Sequence, residues 1–301
     1  MTERENWQEP GPRPPELVLG TAQLCAAYGL VRRRPGAPTP GDADRLLAHA
    51  AAMGLRALDT APAYGEAESV IGRSTSRFTV HTKLDPSVLP EESVRRSVQR
   101  LLNKSIDIIY LHDSTLLTHG ESALLDRAVA AAARCGARLG ASIYTVQEFD
   151  AALSDPRIEA VQVPLNVLDR RFAGGILDRA AEQATAVYAR SILLQGLLAA
   201  DAVPDGEAMV RLGPFIGEFT AIARFLGRSS LALAMGWAKQ IKGLTGIVIG
   251  SDNVQDLDAL LRTFNGVRLD PVELARIDTL QTPPFEWVDP RSWSMQPQGK
   301  R

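Results

Sequence analysis

The chain has 301 residues, of which 45% are hydrophobic and 23% charged, a composition typical of a globular protein with a large core and not of a disordered one. Its 33 basic residues nearly balance 35 acidic ones, so the formal net charge of −2 gives no global reason to bind nucleic acid or an anionic membrane. This length suits either two ordinary domains or one α/β barrel.

Short β-type runs alternate along the chain with segments of helical periodicity. The predicted strands are residues 17–20, 56–58, 78–82, 107–111, 137–141, 160–163, 186–189 and 246–249. The predicted helices are residues 40–52, 90–102, 121–134, 146–153, 175–182, 207–225 and 253–263. Eight alternating units in about 250 residues predict an α/β fold of one domain, a closed (β/α)8 TIM barrel.

The barrel is expected to span residues 15–282, with flexible tails at residues 1–14 and 294–301. An open doubly wound sheet is the alternative fold. The first strand of such a sheet is typically followed by G-x-G-x-x-G, whereas here it leads into GTAQLCAAYG. The closed barrel is therefore the favoured prediction.

Cysteine usage and apolar run lengths indicate the compartment. The two cysteines, Cys25 and Cys135, form no CxxC pattern, which disfavours a disulfide framework. No apolar run approaches the 18 residues of a membrane span, and the N-terminal residues lack the apolar core of a secretory signal. We therefore expect a cytoplasmic protein with no membrane contact. His49 and His119 have no partners at metal-ligand spacing, so no metal site is expected.

Reactive side chains follow three neighbouring predicted strands, at the barrel end where catalytic residues lie. Asp59 and Tyr64 follow the second strand, Lys83 the third and His112 the fourth. An ammonium favours the ionised form of a nearby phenol, a carboxylate keeps that ammonium charged, and an imidazole can orient a carbonyl oxygen. This set suits protonation of a carbonyl oxygen while hydride reaches its carbon. Since no side chain supplies hydride, the set implies a nicotinamide cofactor.

The chain resembles the aldo-keto reductases over roughly residues 17–261. The resemblance rests on the four residues above and on the stretches LGTAQ, DTAPAYGEAE, ARSILLQGLL and IVIGSDNVQDLDALL. It implies that Tyr64 is the general acid, that Lys83 and Asp59 tune it, and that His112 orients the substrate. The implied activity is NAD(P)H-dependent reduction of an aldehyde or ketone. The segment VPLNVLDRR resembles the corresponding segment of reductases in bacterial sugar and polysaccharide pathways, and this resemblance favours a sugar-derived carbonyl as substrate.

The resemblance also implies a cofactor site that uses most strand ends. Its predicted members are Gly20, Thr21, Ser142, Gln162, Arg190, Ser191, Gly250, Ser251 and Asn253. Arg190 replaces the aromatic residue that stacks on the nicotinamide in the family, and a guanidinium plane can also stack. Ile143 replaces a family asparagine and cannot hydrogen-bond the carboxamide.

The cofactor could be NADP or NAD. The family favours NADP, whose 2′-phosphate is often held by a lysine or arginine after the eighth strand. This chain has Gly250, Asp252, Asn253 and Asp256 at those positions, and a phosphate without a cation is poorly held. NAD therefore remains open.

Two regions are candidates for substrate contacts. The run Arg32–Arg33–Arg34 is either a solvated charge cluster or, through Arg34, a site for an anionic substrate such as a nucleotide-linked sugar, and Arg170 and Arg171 present the same choice. In the family the C-terminal segment often roofs the pocket, which makes Trp287 in residues 283–301 a candidate substrate contact. A small-molecule carbonyl is the only expected partner, and the family favours a monomer.

Two other functions remain open at this point. Changes at Ile143 and Arg190 are compatible with a cofactor-binding regulatory or accessory subunit that has little turnover. A barrel enzyme could also use the same lysine and carboxylate for proton transfer without redox chemistry. His81, two residues before Lys83, is predicted to have a structural role only.

Overall fold

A computed structural model describes residues 14–31, 36–200 and 207–293 of the chain. Eight parallel strands close into a barrel in chain order. They are β1 Glu16–Gly20, β2 Ala57–Asp59, β3 Thr79–Lys83, β4 Ser105–Leu111, β5 Arg138–Ser142, β6 Ala160–Pro164, β7 Ala186–Arg190 and β8 Gly246–Gly250. The pairing of β1 with β8 completes the ring, so the predicted (β/α)8 barrel is confirmed and the open sheet is excluded.

Helices follow the strands and cover the outside of the barrel. They are α1 Pro40–Ala52, α2 Ala67–Arg73, α3 Pro90–Leu101, α4 Thr115–Thr118, α5 Ser122–Arg134, α6 Val146–Ser154, α7 Gly175–Glu182, α8 Glu207–Phe225, α9 Ser230–Lys239, α10 Val254–Gly266, α11 Pro271–Asp278 and α12 Phe285–Val288. Short 3₁₀ segments occupy Leu194–Ala199 and Pro290–Ser292. Among the described residues no helix is both long and apolar enough to cross a membrane.

Seven helices were predicted, and the helices that were missed are either buried on most sides or short. The bounds of α1, α7 and α8 agree with the predicted ones. Helix α9 was missed because most of its side chains are buried, so its sequence SLALAMGWAK has no alternation of apolar and polar faces. The short helices α2, α4, α11 and α12 were also missed, since their few turns give little periodic signal.

Most predicted strands end one residue too early. The error affects β2, β3, β5, β6, β7 and β8. Polar residues such as Asp59, Lys83, Ser142 and Arg190 interrupt the apolar runs, yet each one is the last residue of its strand. Their backbones are therefore fixed by the barrel's hydrogen bonds, not by a loop.

Aromatic rings fill the barrel below these strand ends. The ring of His81 lies 4.8 Å from that of Tyr188 and 6.2 Å from that of Tyr110, measured between centroids. Glycines make room for the two tyrosines: a Cβ on Gly140 would lie 2.6 Å from Tyr110 Cδ1, and one on Gly246 would lie 2.7 Å from Tyr188 Cδ1. His81 is 1% exposed, so its burial agrees with the structural role predicted for it.

We expect the substitution Gly140→Ala to lower the free energy of unfolding by about 1–3 kcal/mol, because the added methyl group overpacks the barrel against Tyr110. Gly217→Ala in α8 is the matched control. Its Cβ meets nothing within 4 Å, and alanine favours a helix over glycine by up to about 1 kcal/mol. Urea denaturation measures both, and equal stability of the two variants would contradict this packing.

Candidate active site

A cavity of about 700 Å³ opens at the carboxyl ends of the strands. Its wall includes most of the residues predicted from the sequence, namely Gly20, Thr21, Asp59, Tyr64, Lys83, His112, Ser142, Gln162, Arg190, Ser191, Gly250 and Ser251. The structure therefore brings the four predicted catalytic residues and eight of the predicted cofactor residues to one cavity. A cavity of this size lies within the range of small-molecule and cofactor sites.

The remaining predicted residues lie elsewhere. Asn253 is the N-cap of α10, where its side chain accepts a hydrogen bond from the Asp256 N–H. Trp287 does not line the cavity; its ring packs against Phe215 at 6.3 Å. Arg34, with the rest of its arginine run, lies outside the described residues, as do the predicted tails except for Pro14.

Lys83 and Asp59 form a buried ion pair at the ends of β3 and β2. Lys83 Nζ lies 2.9 Å from both carboxylate oxygens of Asp59 and donates to the Thr60 carbonyl at 3.0 Å. The two side chains are 2% and 5% exposed. Burial acts to lower the pKa of Lys83. The charge and hydrogen bonds of Asp59, together with Tyr64, have the larger effect and raise that pKa above its ordinary value. Lys83 is therefore a fixed positive charge at neutral pH.

Residues of β6 and of the loop after β1 hold Asp59 in this position. Gln162, in the middle of β6, donates from Nε2 to Asp59 Oδ2 at 2.7 Å across the barrel. The backbone N–H and the hydroxyl of Thr21 both donate to the Asp59 carbonyl at 2.9 Å. Thr21 and Gln162, both predicted as cofactor residues, thus also position the ion pair.

Tyr64 stands in the turn between β2 and α2, beside the ammonium. Lys83 Nζ lies 5.1 Å from the centroid of the Tyr64 ring. The next residue, Gly65, has a φ of +61°, a conformation that favours glycine, and it lets the chain turn into α2. Glu68 in α2 is fully buried and accepts a hydrogen bond from the Thr82 hydroxyl at 2.7 Å. That contact ties the Tyr64 turn to β3.

His112 completes the group of reactive side chains. It follows β4 and lines the same cavity. Burial first, and then the positive charge of Lys83, lower the pKa of the His112 imidazole. The ring is therefore neutral at pH 7 and can donate one N–H to a substrate oxygen.

Two features of the wall suit the carboxamide and hydroxyl groups of a nicotinamide cofactor. The Gln23 and Gln195 side-chain oxygens are buried and have no hydrogen-bond partner among the described residues, so each can accept from a ligand. The Ser142 hydroxyl and the Gln162 amide oxygen also accept no hydrogen bond within the described residues. Gly250 permits this arrangement, since a Cβ there would lie 2.5 Å from Gln23 Oε1.

The loop after β7 adopts an unusual backbone. Ser191, Leu194 and Gln195 have φ values of +63°, +46° and +55°. Non-glycine residues rarely occupy this region and persist there only when the surroundings enforce it, often at binding sites. The Val31 N–H donates to the Gln195 carbonyl at 3.2 Å, so the loop after β1 packs against this segment. The described residues of the cavity wall therefore provide hydrogen-bonding groups that suit a nicotinamide cofactor.

The wall near α10 carries negative charge. Asp252 and Asp256 line the cavity there, and the Asn253 amide donates to both, at 2.7 Å and 2.9 Å. The Ser251 hydroxyl donates to the Asn253 carbonyl at 2.8 Å. The cavity wall near α10 provides no lysine or arginine within the described residues.

Sequence reasoning missed five polar wall residues, namely Gln23, Tyr28, Tyr144, Gln195 and Arg291. The first two stand in the long, aperiodic loop after β1, and Arg291 reaches the cavity only through the fold of the C-terminal segment. This segment does contribute to the wall, through Pro290 and Arg291 and not through Trp287. No sequence signal marked Arg291, because a single arginine near a terminus is usually solvated.

Arg170 and Arg171, which the sequence left open as substrate contacts, do not line the cavity. Arg170 donates to the carbonyls of Val167 and Ile277. Arg171 pairs with Asp169 at 2.7 Å and donates to the Tyr144 carbonyl at 2.7 Å. Both arginines therefore hold loops together.

Comparison with known proteins agrees with this geometry. Residues 16–282 match the profile of the aldo/keto reductase family, so the chain belongs to that family of oxidoreductases. No group of histidine, cysteine, aspartate and glutamate residues suited to a metal occurs in the described part of the chain.

Three solved structures share the fold. The aldo-keto reductase AKR11C1 from Bacillus halodurans, in its holo form, is 20% identical, with a TM-score of 0.69 over 89% of this chain and 92% of its own. The glycerol dehydrogenase AKR11B4 from Gluconobacter oxydans is 20% identical, with a TM-score of 0.65 over 95% of each chain. The protein PA4992 from Pseudomonas aeruginosa is 19% identical, with a TM-score of 0.61 over 84% of this chain and 91% of its own.

We expect Asp59→Asn to lower the free energy of unfolding by about 3–5 kcal/mol, because it leaves the Lys83 ammonium buried without a counter-charge. The double variant Asp59→Leu/Lys83→Met removes both charges and should be more stable than Asp59→Asn. Guanidinium denaturation of both variants measures the difference. A double variant less stable than Asp59→Asn would contradict the ion pair.

Proposed function

We propose that the protein is an NAD(P)H-dependent reductase that converts an aldehyde or ketone to an alcohol. The observation that carries this proposal is the buried Lys83–Asp59 pair beside Tyr64, with His112 on the same cavity. A subunit that only binds the cofactor, the alternative from the sequence, has no use for a buried charge aimed at a phenol. Burying an ion pair is costly, and such pairs with shifted pKa values often mark catalytic sites.

The chain's own residues control the proton and the substrate oxygen. The neutral His112 imidazole donates a hydrogen bond to the carbonyl oxygen and orients it. The Tyr64 hydroxyl gives its proton to that oxygen, and the Lys83 ammonium stabilises the phenolate that remains. Asp59 keeps Lys83 charged and in place.

A reduced nicotinamide, when bound, would supply the hydride, one hydrogen with two electrons, that the carbonyl carbon gains. Tyr64 supplies the one proton that the carbonyl oxygen gains. Ser142 and Gln162 would hold the nicotinamide carboxamide, while Ser191, Ser251 and the wall oxygens of Gln23 and Gln195 would take hydrogen bonds with the cofactor's remaining groups. Tyr64 is half-buried, so water at the cavity mouth can return the proton.

The charge near α10 favours NAD over NADP. Asp252 would repel a 2′-phosphate, whereas its carboxylate can accept hydrogen bonds from ribose hydroxyls. We therefore propose NADH as the preferred reductant.

Tyr64→Phe should lower kcat by about 10²–10⁴, the range that general acid catalysis supplies, while cofactor binding persists. The matched control is Tyr110→Phe, which removes a buried hydroxyl that has no partner in the described structure and does not line the cavity. Loss of absorbance from NADH and NADPH, with a panel of aldehydes and keto-sugars, gives the rates. Undiminished turnover of the Tyr64 variant would overturn its role, and tight cofactor binding without turnover would favour the accessory subunit.

NADH should bind at least tenfold more tightly than NADPH in a titration of protein fluorescence. Asp252→Asn should bring the two dissociation constants closer together, because it removes one negative charge from the wall. Asp258→Asn in α10 is the control, since Asp258 contacts His49 at 2.6 Å and lies outside the cavity. Tighter binding of NADPH by the unmodified protein would contradict the preference.

A further inference from the structure

The two ends of the cavity carry opposite charge. Asp252 and Asp256 stand near α10, whereas Arg190 and Arg291 stand on the side of Tyr144. We call Arg190, Arg291 and Tyr144 the cationic wall. The only carboxylate that lines the cavity away from α10, within the described residues, is Asp59, and Lys83 neutralises it. The positive charge of the cationic wall is therefore not balanced by the catalytic residues.

Arg190 is a half-buried cation without a counter-ion. Its Nη2 donates to the Ile143 carbonyl at 3.0 Å, and its guanidinium carbon lies 4.1 Å from the centroid of the Tyr144 ring. Across residues 14–31, 36–200 and 207–293 no carboxylate lies within ion-pair distance of it. Because arginine stays protonated in proteins, Arg190 presents a permanent charge and further N–H donors to the cavity.

Arg291 adds a second guanidinium to the same ring. Its guanidinium carbon lies 3.3 Å from the Tyr144 centroid, and Asp289 pairs with it at 2.6 Å. Burial acts to raise the pKa of Asp289, but hydrogen bonds from Arg291 and the charge of Arg190 lower it below its usual value. Two guanidinium groups thus share one ring and the paired carboxylate of Asp289. The charge of Glu148 also acts on Arg291, but this carboxylate accepts hydrogen bonds from the backbone N–H groups of Tyr144 and Thr145.

A hydroxyl donor faces the same region. Burial first, and then the neighbouring Tyr64, raise the pKa of Tyr28, so its phenol is protonated at neutral pH. Arg190 lines the same cavity as Tyr28 and His112. The cationic wall and the residues that would act on the carbonyl therefore face one continuous space.

We propose that the site selects carbonyl substrates that carry a second, anionic group, a carboxylate or a phosphate, and that Arg190 and Arg291 bind this group. The reduction itself rests on the proposed function, but the anion site does not. Arginine pairs both anions through two parallel N–H bonds, and such charge-assisted bonds are about twice as strong as neutral ones. A half-buried site also screens the charges less than open water does.

Substrates matched in shape but not in charge test the proposal. The pairs are 4-carboxybenzaldehyde with 4-methylbenzaldehyde, and glyceraldehyde 3-phosphate with glyceraldehyde. At low salt, kcat/KM for at least one anionic member should exceed that of its neutral partner tenfold or more; the pair that responds separates carboxylate from phosphate. Arg291→Gln and Arg190→Gln should each reduce this ratio several-fold. A ratio near one for both pairs in the unmodified protein overturns the proposal.

Arg276→Gln is the matched control. Arg276 stacks on Phe225 at 5.3 Å, is exposed and does not line the cavity. In this control variant, the ratio of kcat/KM for the anionic substrate to kcat/KM for the neutral one should equal that of the unmodified protein. An equal loss of the ratio in this variant would show that general surface charge, and not the cationic wall, selects the anion, which overturns the proposal.

Calorimetry separates this inference from the proposed function. The ligands are 4-(hydroxymethyl)benzoate and 4-methylbenzyl alcohol, added to the protein with and without NAD⁺. Tighter binding of the benzoate, weakened by Arg190→Gln and Arg291→Gln, supports the anion site even if no carbonyl is turned over. If Arg190→Gln instead weakens NADH binding and leaves the charge preference of both assays unaltered, Arg190 holds the cofactor and the proposal fails.

Discussion

Lys83 and Asp59 place two opposite charges side by side inside the barrel mouth, and the arrangement of the site depends on that contact. Each charge is taken out of water, which costs several kcal/mol per ion unless close partners compensate. The compensation comes from two contacts of 2.9 Å and from Gln162 and the Thr60 carbonyl. These contacts fix the lysine, and the lysine in turn fixes the charge that faces Tyr64.

The barrel supplies the rigidity that this contact needs. Asp59 and Lys83 are strand ends, so their backbones cannot shift without breaking the hydrogen bonds of the barrel. The rings of Tyr110 and Tyr188 fill the interior beneath them, and the glycines opposite leave no spare volume. The cavity therefore opens above the strand ends, where the loops after β1 and β7 and the C-terminal segment form the wall.

The features predicted from the sequence are those that a local pattern encodes. Alternating β and α units gave the barrel, and polar residues after apolar runs located Asp59, Lys83 and His112. The hydrogen bond from Gln162 to Asp59 joins residues that are 103 positions apart and has no local signal. The same holds for Arg291, which meets Tyr144 only after the C-terminal segment folds over the barrel. Helix α9 was not predicted for a related reason: a helix that is buried on most sides has apolar residues all round, so its sequence shows no helical period in hydrophobicity.

A crystal structure with bound NAD⁺ tests the central claim most directly, namely that the buried ion pair, Tyr64 and the nicotinamide share one cavity. The account predicts the nicotinamide ring beside Tyr64 and Lys83, with the two Lys83–Asp59 contacts retained near 2.9 Å. A ring bound away from Tyr64, or an ion pair broken by the cofactor, would contradict it.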